Sequence, residues 1–453
     1  MTAADDAADC MTSRLARYVC AARAETLSPE TEDAALRRVL DLLAATAAGI
    51  GNPIAVSVRG VAARLMGKGR VPVWFTDQAG NALAAAWANS AAASALDLDD
   101  GHRLARGHPG AAVIPTAFAV AAEAGASMEA VLRAIVAGYE VGVTIAAART
   151  TYGNTGTWSA YAVAAAAGAL RGTEAGVLAH ALAIAGESAP NQLFASAPAP
   201  RMPDPEGSGV KEGIPWSVVT GLVALGLAEA GHTGPRNILD STRHYRFPDR
   251  LALGKALHIG RSYSKLHACC RHVHPPIEAL LTLIEAHGLA AADITAVEVE
   301  TYGGALRITN RTRPDNLVDA QYSIPYCLGL VALRGNAALL PLTDAALFQD
   351  DVSDFADRVT LRCVPELDAR FPAETLARVT VTHRGIRHAS AVTGPRGDAA
   401  APLGWAELEA KFRAASRFAL AAERQDLVID AFRAARVRDF GPLSTLCLLP
   451  PGP

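Results

Sequence analysis

Segments rich in alanine and other small residues, patterned as helices, dominate the first 260 residues of the chain. Ser28 and Pro29 supply a capping side chain followed by a proline at the first helical position. Apolar side chains then recur at helical spacing, at Leu36, Val39, Leu40 and Leu43. Further helices are predicted over residues 82–96, 127–149 and 159–170. The Ala-rich stretches are too short and too rich in small residues to span a membrane, which takes about 20 strongly apolar residues. The pattern therefore predicts a large helical domain with closely packed internal helices.

The pattern changes after about residue 290. Residues 294–302 alternate as a strand does, with Val297 and Val299 on one face, and residues 359–364 and 379–383 follow the same period. Helices are predicted between them, over 324–333 and 344–348, and again over 403–435. We therefore predict a mainly α protein in which a helical domain (residues 1–262 and 397–453) carries an inserted, smaller α/β lid domain (residues 263–396).

The composition is that of a globular protein rather than a disordered one. Hydrophobic residues make up 51% of the 453 residues and charged residues 19%, and a chain of this length exceeds one hydrophobic core. The net charge of −3 gives no basic excess for nucleic acid or an anionic membrane. Seven scattered cysteines and a start without an apolar run predict a cytoplasmic protein without a disulfide framework.

One stretch of potential chemistry lies between Asp97 and His108. It contains three carboxylates, two imidazoles and two guanidinium groups, interspersed with glycines. A carboxylate beside a histidine can orient it and raise its pKa, as a general acid or base requires, and arginine can hold a substrate carboxylate with two hydrogen bonds. The other interpretation is a solvated acidic turn with internal ion pairs.

A second stretch runs from Tyr263 to His274 and contains Lys265, two cysteines, an arginine and three histidines. A metal site is one interpretation, but the paired spacing of zinc ligands is missing. Another is a domain junction whose side chains are packed and inert. The chain contains no dinucleotide fingerprint, P-loop, HExxH or GxSxG motif.

The chain resembles the MmgE/PrpD family, whose members include 2-methylcitrate dehydratases, cis-aconitate decarboxylases and iminodisuccinate epimerases. The resemblance covers most of the chain and is carried by segments 85–100, Gly107-His108-Pro109, 135–142, Lys211-Glu212-Gly213, 263–276 and 320–324. It implies a helical domain built from both chain ends, an inserted α/β lid and a homodimer. It also implies an active site in the cleft, formed by the two His-rich stretches, with no metal and no organic cofactor.

The resemblance carries over to particular residues. Asp97, His108 and Lys265 match functional positions of the family, Cys270 falls where decarboxylases carry a histidine and some epimerase-like members a cysteine, and His274 matches a shared histidine.

Two positions depart from the family pattern. Gly153 stands where members often carry a second histidine, and Met202 where they often carry a lysine. Arg201, His102 and Lys211 are the candidates to compensate.

These observations predict a cofactor-independent lyase that acts on a small di- or tricarboxylate by proton transfer next to a carboxylate. His108 is the expected general acid or base, oriented by Asp97, with His102 as a second one. Lys265 is expected to stabilise carboxylate or enolate charge. Arg103 and Arg106 are candidate substrate ligands, although a solvated role suits exposed arginines equally well.

Two alternatives remain open. An epimerase of an amino- or imino-dicarboxylate is favoured by the spacing from Asp97 to His108 and by Cys270. A family scaffold that binds a metabolite without turnover is suggested by Gly153 and Met202, while the retained His108 and Lys265 speak against it.

Overall fold

The computed structural model describes residues 10–151, 153–190, 208–255 and 257–448. Within these ranges the N-terminal part of the chain forms a bundle of helices, which we number α1 to α9: Met11–Ala22, Pro29–Gly49, Pro53–Leu65, Ala82–Ser94, Gly110–Ala124, Met128–Ala148, Gly156–Arg171, Ala175–Glu187 and Ile214–Glu229. A short antiparallel hairpin of β1 (Val71–Pro72) and β2 (Ala79–Gly80) lies between α3 and α4.

Side-chain caps set the first residues of several helices. At the start of α2 the Ser28 hydroxyl accepts a hydrogen bond from the amide of Thr31 at 3.2 Å, and Pro29 takes the first helical position. At the start of α4 the Asn81 side chain accepts from the amide of Ala84 at 2.9 Å. The helix start predicted at Ser28-Pro29 is therefore confirmed.

Small residues bring the central helices into close contact. A Cβ atom on Gly138 of α6 would lie 2.7 Å from a methyl carbon of Val113, and one on Gly221 of α9 would lie 2.6 Å from the carbonyl oxygen of Ala160 in α7. Helix α6 is long and apolar enough to cross a membrane, but 83% of its apolar window is buried inside the protein. Such burial is typical of a core helix.

The lid combines short helices with one mixed sheet. Its helices are α10 to α15: His274–His287, Gly303–Leu306, Leu317–Gln321, Ile324–Arg334, Asp350–Ala356 and Pro365–Asp368. Its strands are β3 (Ile294–Thr301), β4 (Val359–Cys363), β5 (Arg378–His383) and β6 (Ile386–Ala389), in the order β4-β3-β5-β6. Strand β3 pairs parallel with β4 and antiparallel with β5. Val297 and Val299 are buried, as their alternation predicted.

One predicted lid helix is wrong in position. Residues Asp344–Ala346 form only a 3-10 turn, and the α-helix begins at Asp350. Asp350 and Asp351 occupy its first turn, where negative charge favours the helix dipole.

The end of the chain returns to the N-terminal bundle as α16 to α18: Trp405–Ser416, Ala422–Ala435 and Gly441–Leu448. The indole of Trp405 donates to the carboxylate of Asp33 in α2 at 2.8 Å, and Arg37 of α2 donates to the carbonyl of Leu403 at 2.7 Å. The fold is thus mainly α, with a helical body built from both chain ends and an α/β lid inserted between them.

Candidate functional site

The two His-rich stretches meet at a short antiparallel bridge. The amide of Gly101 donates to the carbonyl of Tyr263 at 3.1 Å, and the amide of Tyr263 donates to the carbonyl of Gly101 at 2.8 Å. Since Gly101 ends the acidic turn and Tyr263 begins the junction with the lid, this bridge places the carboxylates of the turn beside Lys265. A side chain at residue 101 would collide with the Tyr263 ring, which explains the glycine.

Asp97 is the centre of the cluster. Its backbone has a φ of 53°, in the left-handed region that a residue with a side chain seldom adopts. The Lys265 ammonium lies 3.0 Å from its carboxylate and donates to its carbonyl at 2.9 Å, while the Lys211 ammonium lies 3.9 Å from the same carboxylate. Burial opposes ionisation of Asp97, but the charges of Lys265 and Lys211 outweigh it and hold the pKa of Asp97 well below its usual range.

The same contact fixes the charge of Lys265. Burial lowers the pKa of Lys265, but the carboxylate of Asp97 raises it by more. The pKa of Lys265 therefore lies above its usual value. Lys265 is therefore an ammonium ion at neutral pH. It can hold negative charge but is unsuited to act as a base in this state.

The His108 imidazole lies between two carboxylates. Its Nε2 is 3.5 Å from a carboxylate oxygen of Asp97, its Nδ1 is 3.4 Å from one of Asp99, and Nδ1 donates to the carbonyl of Asp100 at 2.9 Å. Burial and the Lys265 charge lower the pKa of His108, but Asp99 and Asp97 outweigh them and raise it to about 9. The ring is therefore protonated at neutral pH and can act as a general acid.

Asp100 supports the turn instead of facing His108 with its carboxylate. It accepts hydrogen bonds from the amide of Gly110, at the start of α5, and from the Tyr139 hydroxyl, both at 2.9 Å. Burial raises the pKa of Asp100 to about 6, against the opposing charge of Arg38.

Lys211 reaches the site from a strained segment. Lys211, Glu212 and Gly213 have φ values of 46°, 56° and 72°, and each non-glycine residue in this region costs about 1–2 kcal/mol. The ammonium of Lys211 donates to the side-chain oxygen of Gln321 at 2.9 Å. A conformation of this kind is typical of functional segments.

Glu212 connects this segment to His108 through one threonine. Its carboxylate accepts hydrogen bonds from the Thr155 hydroxyl at 2.8 Å and the Thr155 amide at 3.2 Å. The same Thr155 hydroxyl oxygen accepts from the backbone amide of His108 at 3.2 Å. Glu212 and Thr155 therefore hold the backbone of His108 in place.

Cys270 lies at the edge of the cluster. Its amide donates to the carbonyl of Gln321 at 2.9 Å. Burial and the charge of Asp97 raise the pKa of its thiol to about 12, against the opposing charge of Lys265. The thiol is therefore protonated at neutral pH.

Two predicted residues, Arg103 and His102, have other partners. Arg103 forms an ion pair with Asp398, to which Arg271 also approaches at 3.5 Å. The ring of His102 packs edge-on against His258, with centroids 5.1 Å apart. Burial lowers the pKa of His102 to about 3, so its ring is neutral.

Of the remaining predicted residues, Arg106 and His274 are described by the structure and two others are not. Arg106 is exposed, and His274 is buried with its Nε2 3.3 Å from the carbonyl of Cys269. Arg201 and Met202 fall outside the described residues.

The structure gives a steric reason for the glycine at residue 153. A Cβ atom there would lie 2.8 Å from the guanidinium of Arg149 and 2.6 Å from the hydroxyl of Thr157. Arg149 therefore fills the space next to this residue.

Three side chains of the cluster have the donor atoms of a metal site. Among the described residues, Asp97, Asp99 and His108 place one ligand atom each within 4.8 Å of one another. However, the Lys265 ammonium already lies against Asp97, and His108 would have to lose the proton that the two carboxylates stabilise. The arrangement suits a charge-balanced acid–base site better than a cation site.

Sequence reasoning missed the roles of Glu212, Thr155 and Gln321. Glu212 and Gln321 lie within segments that carried the family resemblance, so their position there was a usable signal. The sequence around Thr155 contains no such signal, because the role of Thr155 depends on contacts with residues far away in the chain.

Comparison with known protein families agrees with this architecture. The model of the MmgE/PrpD N-terminal domain matches residues 13–257, and that of the MmgE/PrpD C-terminal domain matches residues 267–434. A comparison with curated proteins finds no match. The two matched domains cover nearly all of the chain, and Asp97, His108 and Lys211 lie within the N-terminal match, while Lys265 lies between the two matches. The chain therefore belongs to the MmgE/PrpD family.

Proposed function

We propose that the protein is a cofactor-independent lyase acting on a small di- or tricarboxylate. The observation that carries the proposal is the position of the His108 imidazole between the carboxylates of Asp97 and Asp99, beside the Lys265 ammonium. These carboxylates raise the pKa of His108 to about 9, which suits it to act as an acid at neutral pH. Family membership supports dehydratase-like, lyase or related chemistry in general.

The cluster provides an acid and a stabiliser of negative charge. In a dehydration, a carboxylate beside His108 takes the proton from the carbon next to the substrate carboxylate, and His108 protonates the hydroxyl group as its carbon–oxygen bond breaks. In a decarboxylation, the electron pair of the broken carbon–carbon bond forms an enolate-like ion, and His108 protonates its carbon. In both reactions negative charge builds up next to a carboxylate, and Lys265 and Lys211 stabilise it. A positioned acid contributes about 10²–10⁴-fold to the rate.

Lys211 is the proposed ligand of a substrate carboxylate. Its ammonium is 3.9 Å from Asp97 and bonds the neutral side chain of Gln321, whereas Lys265 makes two short contacts with Asp97. Lys211 would therefore give up weaker contacts than Lys265 when it turns to bind a substrate carboxylate. The strained backbone of Lys211 supports this role.

Epimerisation is the alternative, and Cys270 is the observation that favours it. An epimerase needs two proton-transfer groups on opposite faces of a carbon atom. The thiol of Cys270, whose pKa is raised by burial and by the charge of Asp97, would return a proton to one face, and the deprotonated form of His108 would take the proton from the opposite face.

The test is proton NMR of the purified protein in deuterated water with citrate-, methylcitrate-, aconitate- and aspartate-derived acids. Release of water or carbon dioxide supports the lyase, and deuterium exchange without either supports the epimerase.

The His108→Gln and Lys265→Met variants should lose at least about 100-fold in turnover. His232→Gln and Lys68→Met, at exposed residues, are the matched controls. If the folded protein releases neither water nor carbon dioxide and incorporates deuterium into none of the acids, the proposal is wrong and the protein is a non-catalytic binder.

A further inference from the structure

A buried lysine from helix α16, in the part of the chain that follows the lid, contacts the acidic turn. The Lys411 ammonium lies 2.7 Å from the carboxylate of Asp41 in α2 and donates to the carbonyl of Leu98 at 3.1 Å. Both charged side chains are fully buried. Leu98 is the residue between Asp97 and Asp99, the two carboxylates that flank His108.

Three carbonyl groups of this turn accept hydrogen bonds from three basic side chains. The Asp97 carbonyl accepts from Lys265 at 2.9 Å, the Leu98 carbonyl from Lys411 at 3.1 Å, and the Asp100 carbonyl from His108 at 2.9 Å. Of these side chains, Lys265 and His108 belong to the proposed chemistry. Lys411 therefore contacts the peptide group between Leu98 and Asp99, in the segment that carries both carboxylates around His108.

Stability alone is a poor explanation for this ion pair. Taking two charges out of water is costly, and well-packed apolar residues often serve a protein core as well or better. Burial lowers the pKa of Lys411, and the carboxylate of Asp41 opposes this shift. The other charged groups that face Lys411 are Arg38 and Asp99. A buried pair that contacts the catalytic turn through a backbone carbonyl is better explained by positioning.

We infer that Lys411 is a positioning residue, which holds the Leu98 peptide so that the carboxylates of Asp97 and Asp99 keep their places on either side of His108. Its partner Asp41 compensates its charge. The inference rests on the proposed function, in which His108 is the acid. It links the C-terminal return of the chain to the chemistry of a turn more than 300 residues earlier, since Lys411 and Leu98 are 313 residues apart.

The experiment compares three variants by NMR titration of the His108 imidazole, which requires no substrate. In Asp41→Asn the lysine keeps its bond to Leu98, so the pKa of His108 should stay within about 0.3 of its wild-type value. In Asp41→Asn/Lys411→Met and in Lys411→Met that bond is lost, and the pKa should fall by about one unit. The double variant leaves no unpaired charge at the site, which protects its folding.

Turnover provides a second measurement. The double variant should lose about 10- to 100-fold in kcat with little change in KM, because misplacing a catalytic group by about 1 Å has effects of this size. Arg413→Met, on the same helix but in an exposed ion pair with Asp426, is the control and should leave both His108 and kcat unchanged.

The outcomes separate this inference from the proposed function. If Asp41→Asn and the double variant titrate alike, or if the double variant only unfolds at a lower temperature, Lys411 is structural and the inference is wrong. If the variants shift the His108 pKa as expected but the wild-type protein turns over no acid, the positioning role stands and the proposed reaction fails.

Discussion

At the scale of single residues, two buried histidines show what determines protonation in this protein. Burial lowers the pKa of both His102 and His108. His102 packs against the ring of His258 and its pKa falls to about 3, whereas His108 lies between Asp99 and Asp97 and its pKa rises to about 9. The neighbouring carboxylates, and not the depth of burial, therefore make His108 an acid.

The first prediction concerns Asp99. Activity that needs protonated His108 is present below its pKa and is lost as the pH rises through about 9. The Asp99→Asn variant removes a negative charge 3.4 Å from Nδ1, so the pKa of His108 falls and the alkaline limb of the pH–rate profile moves to lower pH. Asp77→Asn, at an exposed residue, is the control. An unchanged alkaline limb in Asp99→Asn would show that another group titrates there.

The second prediction concerns stability in acid. The pKa values of His102 and His258 are lowered by burial to about 3 and about 4, so below pH 6.5 the unfolded chain binds protons that the folded protein does not. Stability is therefore lost as the pH falls, by about 2 kcal/mol per histidine at pH 5. Urea unfolding at pH 7 and pH 5 should show a smaller difference for His102→Phe than for the wild-type protein. An equal difference would contradict the burial argument.

At the scale of elements, the helical body depends on contacts that only glycine allows. The third prediction compares two glycines of α9. At Gly221 a Cβ atom would lie 2.6 Å from the backbone oxygen of Ala160, which cannot turn away, so Gly221→Ala should destabilise the protein by about 1–3 kcal/mol. At Gly226 a Cβ atom would meet nothing within 4 Å, so Gly226→Ala should stabilise it by about 0.4–1 kcal/mol. Equal effects in chemical unfolding would show that α7 and α9 are less tightly packed.

The elements also show how far the sequence alone predicts this structure. Apolar spacing and the cap at Ser28 predict α2, and the alternation of Val297 and Val299 predicts β3, because both signals are local. The strained backbone of Lys211 and Glu212 has no comparable signal, since neither is glycine and their conformation is maintained by distant contacts.

The residues of the candidate site also fall into those that the sequence predicts and those that it does not. Asp97, His108 and Lys265 were predicted from the two His-rich stretches and the family resemblance, and the structure brings them together. The partners of Arg103 and His102 could not be predicted, because Asp398 and His258 come from remote parts of the chain. Charge in the sequence identified the turn but not which of its side chains face inward.

At the scale of the whole molecule, one carboxylate that follows the lid in the chain lies between the acidic turn and the start of the lid. Asp398 pairs with Arg103, which follows the turn, and lies 3.5 Å from Arg271 of the junction stretch. Arg103 also donates to the Thr375 hydroxyl at 3.2 Å. The two arginines repel each other, since Arg103 contributes to the lowering of the Arg271 pKa. Asp398 therefore compensates the charges of two cations, one beside the turn and one in the lid.

The last prediction follows from this contact. Asp398→Asn keeps the shape of the side chain but leaves Arg103 and Arg271 without their shared anion, and the segment around residues 393–403 should exchange its amide hydrogens about tenfold faster. Glu298→Gln, in an exposed ion pair with Arg387 on the lid sheet, should leave that segment unchanged. Because Arg103 is a predicted ligand of a substrate carboxylate, a polycarboxylate that takes the place of Asp398 should slow the exchange again in the variant. Faster exchange without this reversal would assign Arg103 to the lid contact alone, and unchanged exchange would show that apolar packing holds the lid.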